Sequence, residues 1–385
     1  MNVLRMPKTV WNGAGTMAKL EELCAGRRVR VLSDGGIART GLVDRVMDYI
    51  RPVASAVSLD TELYPEPTYM QAQAVADRYR ASGADTIVAV GGGSVMDAAK
   101  LSALLADGQF SVKDLLRDPA QGRKSAFTIM IPTTAGTGAE ATPNAIVSVP
   151  EQELKVGIVN EQMIPDAVIL DGENLRKLPT AIAASTGIDA LCHAIECFTS
   201  RKANCFSDLY ALEALRLIFT HLERACVEET ALDSKDAMLL AAFYGGVAIT
   251  CSGTTAVHAL SYPLGGKYHI PHGVANAMML MPVMRFNREA CEKRFAQVSD
   301  AVGGPAGSAK CRTDWLLECM DCLVRRLEIP TSLRRYGVRV EDVDGLVAAA
   351  MNVQRLLVNN MRRVTPEDAR KMYMERLAGE EAMRA

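Results

Sequence analysis

The chain has 385 residues, 49% of them apolar and 23% charged, with a formal net charge of −2. That length exceeds one compact core and suits two domains. The near-neutral balance excludes the basic face of a nucleic-acid or anionic-lipid binder, and no run of about 18 unbroken apolar residues predicts a membrane span. The N-terminus, MNVLRMPKTVWNGAG, lacks the continuous apolar stretch of a signal peptide, so a soluble cytoplasmic protein is expected.

The first half alternates β-branched runs with helical segments. Strands are predicted at RVRVLSD (28–34), ASAVSLD (54–60), DTIVAVGGG (85–93), the start of FTIMIPTTAGTG (127–138) and DAVILD (166–171). Between them GLVDRVMDYIRP, TYMQAQAVADRYRASG and SVMDAAKLSALLA have helical character, the first closed by Pro52 and the second by Gly83. Strands alternating with helices predict βαβ units and a mostly parallel sheet. Past LRKLPT nearly every segment has helical period. The reading is therefore an α/β domain over 1–178 and an all-α domain over 179–385, with Pro179 interrupting and Thr180 capping the next helix.

Two turns stand out in the α/β half. In VAVGGGSVMDAAK, a strand runs into Gly91, Gly92, Gly93 and Ser94 and then a helix. Glycines permit close backbone approach, and the free amides of a helix start attract phosphate. The pattern is neither a P-loop nor G-x-G-x-x-G, because Met96 stands at the last glycine position. IPTTAGTGAE repeats the design with Thr133, Thr134, Thr137, Gly136 and Gly138. Each loop alone reads equally well as an ordinary tight turn. Together, at the carboxyl ends of parallel strands, they predict a nucleotide crevice. Asp34 ends its strand, where a carboxylate accepts from ribose hydroxyls and repels a 2′-phosphate. That favours NAD over NADP, and the competing reading is a plain turn aspartate.

The chain has five histidines. Asp189 and His193, in GIDALCHAIECF, stand four apart, one face of a helix. His258, His269 and His272 follow in HALSYPLGGKYHIPHG. An aspartate with three histidines makes a mixed oxygen/nitrogen set for a borderline cation such as Fe²⁺ or Zn²⁺; the alternative for each is a hydrogen-bonded core residue. His221 takes the latter reading. The ten cysteines are scattered, several in apolar helical patterns (Cys192, Cys197, Cys226, Cys251), and are read as reduced thiols. Cys319 and Cys322 form a lone CxxC inside a helical segment, with no second pair to complete a zinc ribbon, and are assigned to core packing.

Taken together, GGGSVMDAAK, TTAGTGAE, GIDALCHAIE and HALSYPLGGKYHIPHGVANAMMLMPVMRFN resemble the iron-containing (group III) alcohol dehydrogenases of the dehydroquinate-synthase-like superfamily, in family order and over essentially the whole chain. The resemblance implies an α/β N-terminal Rossmann-like domain and an all-α C-terminal metal-binding domain. It implies reversible hydride transfer between a nicotinamide coenzyme and a small alcohol or aldehyde, with Asp34 making NAD(H) the expected coenzyme and NADP(H) the less favoured one. It carries metal ligation, by Fe²⁺ with Zn²⁺ as the alternative, to Asp189, His193, His258 and His272. It carries nucleotide binding to Asp34, Gly91, Gly92, Gly93, Ser94, Asp97, Thr133, Thr134, Thr137 and Lys155. A homodimer or larger homo-oligomer is expected, with no nucleic-acid or membrane partner.

Two departures matter. Where many relatives carry a proton-relay histidine this chain has Tyr262, so Tyr262, His269 or water is the expected proton path. Glu66 stands in PEPT where relatives often carry an amide. The rival readings are a zinc glycerol-dehydrogenase-like polyol enzyme, a reductase of a semialdehyde or sulfonated aldehyde held by Lys267, a metal-independent maleylacetate-type reductase, and a non-catalytic binding protein. The complete Asp/His set argues against the last two.

Overall fold

The computed structural model describes residues 2–152 and 154–378. The chain forms two compact units, one made of Arg5–Leu178 with Glu228–Gly246, the other chiefly of Pro179–Val227 and the residues from Val247 onward.

In the first unit, β1 (Thr9–Asn12), β2 (Arg28–Ser33), β3 (Ala56–Asp60), β4 (Thr86–Gly91), β5 (Phe127–Pro132) and β8 (Ala167–Leu170) form one parallel sheet in the order β1-β8-β5-β4-β2-β3. β6 (Asn144–Val149) and β7 (Leu154–Val159) make an antiparallel hairpin. The helices are α1 (Lys19–Cys24), α2 (Gly35–Ala38), α3 (Leu42–Ile50), α4 (Tyr69–Ala81), α5 (Gly93–Leu104) and α6 (Val112–Arg117). β4 is buried along its whole length, as expected of a central parallel strand with both faces covered. Leu20, Val43, Val46 and Ile50 pack with Val31, Val88, Val90 and Ile131 in one core cluster. Ala72, Ala76, Leu101 and Leu104 pack with Leu115 and the hairpin residues Ala145, Val147 and Ile158 in another. The five expected strands are present; β1 and the hairpin were not anticipated. Four residues are too few to display a period in β1, and β6 and β7 lie beside a turn already taken for its glycines.

The second unit is helical: α7 (Thr180–Phe198), α8 (Cys205–Val227), α9 (Leu232–Ser252), α10 (Ala256–Tyr268), α11 (His272–Asn287), α12 (Glu292–Ala301), α13 (Ala309–Arg326), α14 (Val343–Met351), α15 (Gln354–Leu357) and α16 (Pro366–Ala378). The first turns of α9 belong to the first unit, where Gly172 N donates to Asp236 Oδ1 at 2.6 Å and Gly246 lies against Gly138. Thr180 does not cap α7. It is the first helical residue, and Pro179 at the cap offers no side-chain acceptor.

Among the described residues α7 is by itself long and apolar enough to cross a membrane, but 78% of its most apolar window is buried inside the protein. It packs on α8 and α11 as a core helix. Among the described residues no two cysteines form a disulfide. Cys319 and Cys322 depart from the core assignment: both are half-exposed and line a groove with Trp315, Glu318, Arg325 and Arg326, because α13 turns that face outward.

Candidate metal centre and dinucleotide turns

α7 is apolar nearly all round, yet it carries Asp189, His193 and Glu196 at positions i, i+4 and i+7, one helical stripe. All three are buried. His258 enters from the first turn of α10 and His272 from the first residue of α11. Gly273 makes the close packing of α11 on α7 possible: a Cβ there would lie 2.2 Å from the Ser185 carbonyl oxygen. The result is convergence. One ligand atom from each of Asp189, His193, His258 and His272 lies within 4.8 Å of every other.

Asp189 Oδ1 lies 3.8 Å from His193 Nε2, 3.7 Å from His258 Nε2 and 3.6 Å from His272 Nε2. Ligands about 2.1 Å from a tetrahedral cation stand about 3.4 Å apart, close to the Asp189 distances, and four donor atoms all within 4.8 Å of one another can close on one divalent ion. Burial alone would raise the Asp189 carboxyl; the imidazoles of His193, His272 and His258 override it and hold it well below the usual carboxylate range. Burial alone would lower His258; the Glu196 and Asp189 carboxylates override that and push it up to about 10. A pocket that favours positive charge this strongly on the His258 imidazole favours a cation beside it.

Two functional residues escaped the sequence reading. Glu196, fully buried, accepts from Thr255 N at 3.0 Å, Thr255 Oγ1 at 2.7 Å and Val257 N at 2.7 Å, and its other oxygen bonds His258 Nδ1. It thus ties down the start of α10 and puts the His258 proton on Nδ1, leaving Nε2 for a metal. Its signal was the i+3 spacing from His193. Asn276, four residues after His272 and fully buried, donates through Nδ2 to Asp189 Oδ1 at 2.6 Å and sits 3.1 and 3.2 Å from His258 Nε2 and His272 Nε2.

Tyr262 lies beside the cluster, its ring centroid 6.4 Å from that of His258 and 6.0 Å from that of His272. His269 is exposed at the left-handed C-cap of α10, and no contact links it to the cluster. His221 lies on α8, outside the cluster. Lys267 ion-pairs with Asp342 at 3.3 Å, so its charge is already answered.

In the first unit the two glycine turns meet. A Cβ on Gly93 would stand 2.9 Å from Thr137 Cγ2, and one on Gly92 would stand 3.4 Å from Thr134 Oγ1. The glycines therefore let the turns pack on each other. α5 starts at Gly92 with no side-chain cap, whereas α4 and α6 both have capping boxes. Its first amides are left for a ligand. Thr133 Oγ1 is buried without a protein partner. Asp34 caps α2, accepting from Gly36 N at 2.7 Å and Ile37 N at 3.0 Å through Oδ1. Ser94 Oγ accepts from Glu66 N at 3.0 Å, and Glu66 pairs with Lys155 at 2.7 Å. Asp97 turns inward: it accepts from Ile146 N at 2.9 Å and pairs with the buried Lys100 at 2.9 Å.

Residues 7–172 match the family description "Iron-containing alcohol dehydrogenase", and residues 183–377 match "Fe-containing alcohol dehydrogenase family, C-terminal". The chain is 31% identical over 379 residues to long-chain-alcohol dehydrogenase 1 of Geobacillus thermodenitrificans, covering 96% of this chain and 94% of that one. A 1,3-propanediol oxidoreductase structure superposes with a TM-score of 0.92 at 27% identity, covering 98% of this chain and all (100%) of the other. The NAD⁺ complex of sulfoacetaldehyde reductase from Bifidobacterium kashiwanohense superposes with a TM-score of 0.89 at 28% identity, covering 99% of each chain.

Proposed function

The chain belongs to the iron-containing alcohol dehydrogenase family, and from that premise we propose that it interconverts a small alcohol and its aldehyde with Fe²⁺ and NAD(H). The observation that carries this reading is the convergence of Asp189, His193, His258 and His272 on one cation-sized space. When bound, the ion supplies Lewis acidity toward the alcohol or carbonyl oxygen. The nicotinamide supplies the hydride acceptor or donor.

The chain's own residues do the rest. Asp189 Oδ1 and the three Nε2 atoms would hold the ion, and Glu196 orients His258 through Nδ1. The uncapped start of α5 and the Thr133–Thr137 turn receive the coenzyme phosphates. The Asp34 carboxylate disfavours a 2′-phosphate, supporting NAD over NADP. Asp97 and Lys155 support the turns through Lys100 and Glu66, rather than reaching a ligand as free charges. Tyr262 Oη, with solvent, carries the alcohol proton; its position beside His258 and His272 favours it over the exposed His269. A cytoplasmic homodimer fits the composition and the thiol-rich chain; light scattering reads its mass.

The test is NADH oxidation with a panel of short aldehydes, using iron-loaded, chelated and His272→Ala protein. Turnover that requires iron and collapses in His272→Ala supports the reading. Full activity of chelated His272→Ala protein overturns it.

A further inference from the structure

Of the candidate ligand side chains, those of Asp189, His193 and His258 are sealed from solvent, at 2%, 7% and 2% exposure, while His272 is 32% exposed. Solvent, and hence substrate, reaches the cluster on the His272 side. The half-buried Tyr262 ring stands on that side, 6.0 Å from His272. Arg355, from α15, also reaches Tyr262. Its Nη2 donates to Tyr262 Oη at 3.5 Å, and its guanidinium carbon lies 5.8 Å from the ring centroid.

Arg355 differs from several arginines of its unit. Arg285, Arg288 and Arg294 in the same unit are each answered by a carboxylate. Among the described residues no carboxylate lies within ion-pair distance of Arg355. Lys267, the other cation considered for this role, is spent on Asp342. An exposed side chain with a fixed, planar fork of donors and no internal anion thus lies against Tyr262, the ring that itself lies beside His272. A fork of that geometry matches a carboxylate in two parallel hydrogen bonds.

We propose that Arg355, steadied by Tyr262, is an anion-recognition residue that selects substrates bearing a carboxylate at the end remote from the reacting carbon: ω-oxo acids in reduction, ω-hydroxy acids in oxidation. The substrate's two ends then meet two different cations, the oxygen at the Asp189/His cluster and the carboxylate at Arg355. A divalent ion there is balanced by the Asp189 and Glu196 carboxylates, so the Arg355 guanidinium is the charge that an anionic substrate end would meet. Arg355 acts on binding and not on the reacting atoms, so its effect falls on KM more than on kcat.

This inference rests on the alcohol/aldehyde reading above, and the experiment separates the two. Iron-loaded protein and NADH are assayed with ω-oxo acids of three, four and five carbons and with the unbranched alkanals of equal length. The quantity read is the ratio of kcat/KM for oxo acid to that for alkanal. Arg355→Ala is expected to lower the ratio about tenfold or more at the best chain length, chiefly through KM. Arg355→Lys keeps the charge without the fork and is expected to recover only part of it. A ratio unmoved by Arg355→Ala, or no preference for any oxo acid in the unaltered protein, overturns the proposal while leaving the alcohol dehydrogenase reading intact. Absence of turnover with both series overturns that reading itself, and this proposal with it.

Discussion

At the glycine turns the ligand-facing groups are backbone amides of consecutive residues, and the side chains nearby serve mainly to pack one turn on the other. At the metal cluster the ligand-facing groups are four side chains from three helices, and the backbone serves to bring those helices close. Gly93 matters because it touches Thr137; Gly273 matters because it touches Ser185. One site is therefore written in two short stretches and is expected to tolerate change in its polar side chains. The other is dispersed and is expected to depend on all four of its side chains.

That contrast can be broken. The largest effect is expected at Asp189→Ala, which removes the oxygen shared by all three imidazoles. Iron content should fall to background, measured by elemental analysis, and turnover by roughly a thousandfold, with NAD⁺ affinity by fluorescence titration unchanged. Next is Glu196→Gln, which removes the charge behind His258. Iron affinity, read by competition with a chelator, should weaken about 10- to 100-fold. Retained affinity would reduce Glu196 to a cap on α10.

Gly93→Ala is expected to do the converse. Its Cβ meets Thr137 Cγ2 at 2.9 Å, so stability should drop by about 1–3 kcal/mol and NAD⁺ binding weaken, with iron content preserved. Adding Thr137→Ser removes that methyl and should recover part of the loss. If iron were lost as well, the two sites would not be separately built.

The smallest effect sharpens what charge does away from either site. Asp60 is buried at the end of β3; burial alone would raise its carboxyl, but Arg78 and Arg30 override that and lower it. Its stabilisation is present above the ordinary pKa of 3.8 and is lost as pH falls through the lowered folded value. Asp60→Asn should therefore cost about 2 kcal/mol near neutrality and progressively less below pH 4, as melting curves across pH would record, with kcat unchanged.

Much of this was legible beforehand, in specific places. Thr86–Gly91 and Phe127–Pro132 announced themselves as near-continuous apolar runs, and Arg28–Ser33 by its β-branched valines ending in Leu32. The four candidate ligands were legible as residues, and through family resemblance as a set. β1 and the hairpin were not, being too short or too polar on one face. Glu196 and Asn276 were not, because a buried carboxylate or amide inside an apolar helix has no sequence mark apart from its spacing. The exposed face of Cys319 and Cys322 was missed because helical period alone does not say which way α13 turns.

The sequence by itself determined the alternation of strands and helices, the place where that alternation stops, and the backbone-built turns, because those depend on local periodicity and on glycine. Only the tertiary structure decided that Asp189 meets histidines from two other helices, that Glu196 backs His258, that Asp97 and Lys155 are already paired, and that Arg355 rather than Lys267 stands unanswered beside Tyr262. Each of these depends on distance between segments far apart in the chain, and distance is set by packing, which no local pattern encodes.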